Sequence, residues 1–205
     1  MIRPLLIILF LLITQPAMAI EEPEYTVIEK SGKLELRHYS PKIIAETVVS
    51  GSMDKASSAG FRLIADFIFG NNTASDGASN KISMTAPVII EPRSEKISMT
   101  APVTLKESAG QWRVEFVMPN QFTMRTLPTP NDKRVTIREV PAANYAVIRF
   151  SGLAREKKVA TKTAELLQWL NGKKNITPVS TPELARYNPP WTPPFLRRNE
   201  VLIQY

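Results

Sequence analysis

The sequence predicts an α+β fold, a distorted antiparallel β-barrel built from two pseudo-repeated sheet-helix units with two flanking helices. Three observations predict it. Most of the chain alternates apolar and polar residues with the period of two that a half-buried strand requires. Two stretches instead repeat at three and four, as an amphipathic helix does. Finally, Leu34 to Gly51 lies without gaps on Val135 to Gly152, with Arg37 on Arg138, Ala45 on Ala146 and Ser50-Gly51 on Ser151-Gly152. One unit is thus used twice, over about residues 25–120 and 133–205.

The first nineteen residues stand apart from this pattern. Arg3 gives a short positive start, Leu5 to Ile13 is an unbroken apolar run, and Ala17-Met18-Ala19 is a small-x-small cleavage site. Together they read as a signal peptide, leaving residues 20–205 as a single domain. The apolar run is shorter than the roughly 20 residues that span a bilayer. No integral membrane segment is therefore expected after cleavage, and the destination is periplasmic or secreted.

Strands are expected over Tyr25 to Lys30, Lys33 to Tyr39 and Ile43 to Ser50, the last two forming a hairpin that leads into Ser50-Gly51. A helix follows, with Met53, Ala56, Phe61, Ile64, Phe67 and Ile68 on one face, Ser52 at its start and Gly70 as its stop. The octapeptide KISMTAPV then occurs twice, at Lys81 to Val88 and at Lys96 to Val103. Each copy alternates, so two antiparallel strands joined by a polar turn are expected, with Pro87 and Pro102 marking edge positions or bulges at the rim of the sheet. Further strands are read at Trp112 to Met118, Arg134 to Val140, Tyr145 to Ser151 and Glu200 to Tyr205. The second helix runs from Arg155 to Asn171 and carries Val159, Thr163, Leu166, Leu167 and Leu170 on one face.

Composition removes several classes of function. The chain has 205 residues, a formal charge of +7, no cysteine and one histidine. Without cysteine there is no disulfide, no thiolate metal site, no covalent haem attachment and no thiol nucleophile. The scattered positive charge suits an acidic small ligand or an anionic surface, but with no basic run or aromatic RNA-binding signature nucleic acid is not an expected partner. A Ser-His-Asp triad would have to use His38, and no G-x-S-x-G elbow supplies the serine. A catalytic zinc site wants several His or Cys ligands, and no glycine motif for a phosphate cradle is present. The residues carry no enzymatic reading.

The candidate binding residues each have two readings. His38 shares the face of Leu34 and Leu36 by alternation, and is suited either to coordinating iron through a neutral nitrogen or to a local hydrogen bond. Met84 and Met99, at equivalent places in the octapeptides, suit gap filling, contact with a flat aromatic ligand, or axial thioether ligation. Phe61 and Ile64 offer apolar surface on the first helix, with Arg62 beside them. Arg197 and Arg198 suit a carboxylate clamp or a solvated pair. Trp191 and Phe195 suit an aromatic wall or a rigid turn.

The sequence resembles the SOUL haem-binding proteins from about Tyr25 to Tyr205. The resemblance is carried by Leu36-Arg37-His38-Tyr39, Phe67-Ile68-Phe69-Gly70-Asn71, the octapeptide, Phe116-Val117-Met118-Pro119-Asn120-Gln121-Phe122, and Tyr187-Asn188-Pro189-Pro190 with Arg197-Arg198-Asn199-Glu200-Val201. It implies non-covalent binding of haem or another tetrapyrrole in a hydrophobic groove, with His38 at the position proposed in some members as the axial iron ligand. Other members are thought to hold the tetrapyrrole without one fixed ligand. A porphyrin is a large apolar plate with two carboxylates, so burial at roughly 25 cal/mol per Å² supplies most of its affinity. Two alternatives stand beside this reading. One is a module of the same fold, akin to duplicated domains that sense drugs, which takes a different apolar or cationic molecule and is marked by a buried acid, Glu35 or Glu46, in its groove. The other is an envelope interaction protein that docks a partner on Pro189-Pro190-Trp191-Thr192-Pro193-Pro194.

Overall fold

A computed structural model describes residues 21–74, 97, 99–108, 110–189 and 191–205. The expected signal peptide, the first octapeptide with Met84, and the turn between the octapeptides lie outside the described residues.

Eleven strands and two 16-residue helices are described. In chain order they are β1 (Tyr25–Ser31), β2 (Leu34–Tyr39), β3 (Lys42–Ser50), α1 (Met53–Ile68), β4 (Asn72–Thr73), β5 (Val103–Ser108), β6 (Gln111–Val117), β7 (Thr129–Pro130), β8 (Thr136–Val140), β9 (Ala143–Ser151), α2 (Glu156–Asn171), β10 (Glu183–Arg186) and β11 (Arg198–Gln204). A short 3-10 turn, Pro194–Leu196, precedes β11. Nine strands form one antiparallel sheet in the order β1-β2-β9-β11-β10-β5-β6-β3-β8. The sheet curls into a half-barrel whose edges, β1 and β8, stay apart. The expected barrel is thus an open one.

The order from β2 to β8 reads the same from either end once β2 is matched with β8, β3 with β9, β5 with β10 and β6 with β11. The registers agree residue by residue. Arg37 faces Tyr145 and Leu36 faces Ala146, while Arg138 faces Ile44 and Ile137 faces Ala45. The turns into the helices match as well. Gly51 and Gly152 both have positive φ, +123° and +95°, where a side chain is strained. Their carbonyls accept equivalent bonds, Gly51 from Trp112 Nε1 at 3.0 Å and Gly152 from Asn199 Nδ2 at 2.9 Å.

Two sequence expectations are corrected. β2 and β3 do not form a hairpin, and neither do β8 and β9; each strand pairs with the other half, β2 with β9 and β3 with β8. The connections Ser40-Pro41 and Pro141-Ala142 disfavour hairpins, because Pro141 in the first loop place cannot adopt the positive φ of either two-residue hairpin turn and Pro41 in the second place cannot adopt that of the type I′ turn. Over its described residues, 97 and 99–103, the second octapeptide is a strand only at Val103, and that strand does not lie at the rim. Residues 99–102 are irregular, and the strand begins only at Val103, sandwiched between β10 and β6. Pro102 thus sits before the ladder, where its missing N–H leaves no gap.

Both helices cover one face of the sheet. α1 packs on β3 and β6, and α2 on β9 and β11, burying Ile64, Phe67, Val114, Phe116, Ile148, Leu166, Leu170 and Ile203 in one core. The approach of α1 is close: a Cβ at Gly60 would lie 2.4 Å from Val114 Cγ2. The alternate residues of the same strands point to the concave face, where Tyr39, Tyr145, Val147, Ala185, Tyr187 and Leu202 form a second cluster. No helix among the described residues is long and apolar enough to cross a membrane.

Candidate functional site

Period two sends Arg37 and Tyr39 to the concave face and Leu36 to the helical core, so His38 lies at the solvent end of the Leu36 face. The ring is exposed, and its Nδ1–H donates to Asn144 Oδ1 at 2.8 Å across the β2–β9 ladder. In a neutral ring, donation from Nδ1 leaves the Nε2 lone pair available to a ligand.

The other residues read from sequence do not gather around it. Ile64 is fully buried beneath α1, Phe61 is half-buried and lies 5.5 Å from the Phe116 ring, and Arg62 is exposed on the helix. These three belong to the helix that packs on β6 and β3, five and six strands away from β2 in the sheet order. Met99 is 36% exposed on the irregular segment before β5. Arg197 Nε donates to the Thr192 carbonyl at 2.7 Å. Arg198 is tied to Glu200 and Glu22 and stacks on Tyr187, so it is no open clamp. Trp191 and Phe195 are 82% and 75% exposed, which removes the packed-turn reading.

Within the concave face, one end is closed by charge. Arg37 donates to both oxygens of Glu200, at 2.8 and 3.2 Å, and also to Glu35 and to the Tyr39 hydroxyl. Tyr187 Oη and Arg198 Nε donate to the same Glu200 carboxylate, at 2.7 and 3.0 Å. Burial alone would raise the Glu200 pKa, but the hydrogen bonds and charges of Arg37 and Arg198 outweigh it and hold the carboxyl below its usual range.

The other end opens into a cavity of about 250 Å³. Tyr39, Tyr145, Tyr187, Pro102 and Pro141 form its ring surfaces, and Lys42, Lys106, Arg113, Arg138, Glu115 and Glu183 its charges. Burial, helped by Glu183, raises the Glu115 pKa against the pull of Arg138. Burial also lowers Lys42, partly offset by Glu183 and Glu115, and pushes Tyr39 up to about 12. Glu35 and Glu46, the acids singled out from sequence, are both paired: Glu35 with Lys30 and Arg37, Glu46 with Arg138 and Arg113. Sequence reasoning missed Glu115, Glu183 and Lys42. The alternation Arg113, Glu115, Val117 in a strand already read as such was the signal for the first of them. Among the described residues no group of three or more His, Cys, Asp or Glu could hold a metal ion.

The model of the SOUL heme-binding protein family matches residues 20–204. Among curated proteins no relative matches the sequence. Among solved structures the fold is similar to the C-terminal domain of EcmrR, with 14% identity over 88% of this chain and 96% of that one and a TM-score of 0.54. It is also similar to a hydrolase from Listeria innocua, with 10% identity over 86% of this chain and 93% of that one and a TM-score of 0.53. At these identities the likeness is one of fold.

Proposed function

The chain belongs to the SOUL heme-binding protein family, and from that premise we propose that it is an exported tetrapyrrole binder, a carrier, buffer or scavenger of haem outside the cytoplasm, with His38 as axial ligand to the iron. The observation that carries this reading is the state of the one histidine. Its Nδ1 is engaged by Asn144 Oδ1 and the residue is exposed, the arrangement by which a hydrogen-bond partner on one ring nitrogen orients a metal-ligating imidazole and raises the basicity of the other. When bound, haem iron offers a coordination position to such a neutral nitrogen.

The donor fits; the concave cavity does not. At about 250 Å³ it is smaller than the roughly 300–1,000 Å³ of sites that enclose drug-sized ligands, and its charged lining is a poor match for an apolar plate. The porphyrin is therefore assigned to the His38 side of the sheet, held without covalent attachment. Met99, about one-third exposed, stays available for soft contact. The leader pattern of residues 1–19 supports export to the periplasm or medium. The role is binding rather than catalysis. Titrating hemin into the purified protein tests it: the expected result is a saturable Soret shift at one equivalent, and an unsaturable, linear rise in absorbance overturns it.

A further inference from the structure

The concave cavity carries a surplus of positive charge with one identifiable owner. Lys106 pairs with Glu183 at 3.0 Å, Arg138 with Glu46 at 2.9 Å and Glu115 at 3.2 Å, and Arg113 approaches Glu46 at 3.8 Å. Lys42 is the remaining cation. Among the described residues it has no hydrogen-bond acceptor and no carboxylate within 4.0 Å, and its ammonium lies 5.2 Å from the centroid of the Tyr39 ring. Lys42 is half-buried, and an ammonium partly withdrawn from water with no anion beside it is costly; burial also biases it toward its neutral form. A ligand that brings one negative charge would remove that cost.

Size and wall chemistry narrow the ligand further. A cavity of roughly 150 Å³ accommodates benzene, so about 250 Å³ accommodates one six-membered ring with a carboxylate but not a porphyrin. The walls are rings: Tyr39 and Tyr145 stand edge to face at 5.4 Å, beside Pro102 and Pro141. Tyr145 Oη makes no hydrogen bond among the described residues, and burial raises its pKa, so it stays a donor. We propose that this cavity is a second ligand site, separate from His38, that takes a small aromatic monocarboxylate, with the carboxylate on Lys42 and the Tyr145 hydroxyl and the ring against Tyr39.

Three probes of one shape and different charge test this on the intact protein by calorimetric titration: benzoate, benzamide and benzamidine. Benzoate is expected to bind saturably and at least about tenfold more tightly than benzamide, since hydrogen bonds to charged groups contribute about 1.5–3 kcal/mol. Benzamidine is expected not to bind. Lys42→Met should weaken benzoate about tenfold, Lys42→Arg should retain it, and neither should alter hemin uptake, which keeps this site distinguishable from the haem reading. No saturable benzoate binding, tighter binding of benzamidine, or unchanged benzoate affinity in Lys42→Met overturns the proposal. The charge series on the unsubstituted protein decides even if a variant fails to fold.

Discussion

Arg37 and Glu200, 163 residues apart in sequence, meet as a bidentate ion pair in the closed end of the concave face, with side chains 2% and 0% exposed. Every polar atom of the pair is engaged by Glu35, Tyr39, Tyr187 or Arg198, so the pair locks β2 to β11 across β9. Removing one partner of a buried pair leaves the other charge uncompensated, which costs about 3–5 kcal/mol. Glu200→Gln is expected to lose stability of that order in urea denaturation at neutral pH. Because the Glu200 pKa is depressed in the folded state, its contribution is present above the ordinary carboxylate pKa of about 4.3 and fades as pH falls through the lower folded value. The gap between Glu200→Gln and the unsubstituted protein should therefore close only in strong acid.

Glu115 behaves with the opposite sign. Its folded pKa is raised by burial and by Glu183, so the folded state favours the protonated acid and stability is lost as pH rises through that value. Glu115→Gln cannot ionise. Relative to the unsubstituted protein, its melting temperature should improve as pH rises from the ordinary carboxylate pKa of about 4.3 to the higher folded value and stay level above it, whatever constant cost comes from losing the Arg138 contact; a difference that stays flat from pH 4 upward would contradict the assignment.

Gly60 is needed for space rather than for backbone freedom. An added Cβ would meet Val114 Cγ2 at 2.4 Å and Val114 Cβ at 2.6 Å, and a β-branched side chain on a central strand has no rotamer that clears the helix. Gly60→Ala should cost about 1–3 kcal/mol by overpacking, despite the better helix propensity of alanine. Denaturant unfolding reads this directly, and a stabilised variant would show that α1 can lift from β6 freely.

With His38 as the proposed iron ligand, Asn144 would act on the iron through the imidazole ring. Losing the hydrogen-bond partner on Nδ1 releases the ring's orientation, and removing such a support from a metal-ligating imidazole typically costs about 10–100-fold in metal affinity. Asn144→Ala should weaken hemin binding by that factor and leave thermal stability nearly unchanged, because the bond is exposed.

Much of this architecture was legible in the residues. Both helices fall within one residue of the expected bounds, and the ungapped match of Leu34–Gly51 on Val135–Gly152 is reproduced in the register of β2 on β9 and β8 on β3. What alternation could not supply is which strand pairs with which: the hairpins were expected locally, and the prolines at 41 and 141 carried the correction. β10 escaped notice because Glu183–Arg186 is only four residues long. The site was less legible. Period two located His38 on its face, but it could not show that the ring is exposed or that Asn144, 106 residues away, engages its Nδ1. Nor could it show that Ile64 is core, or that Lys42 lacks the carboxylate its neighbours have, since ion pairs across a curled sheet depend on long-range pairing.

The most direct test of the haem assignment is a side-by-side hemin titration of the protein and of His38→Ala, followed at the Soret band. A saturable shift is expected in the former that is lost or moved to a different wavelength in the latter, with both proteins melting alike because His38 is exposed. An identical saturable shift in both, or none in either, would contradict the assignment.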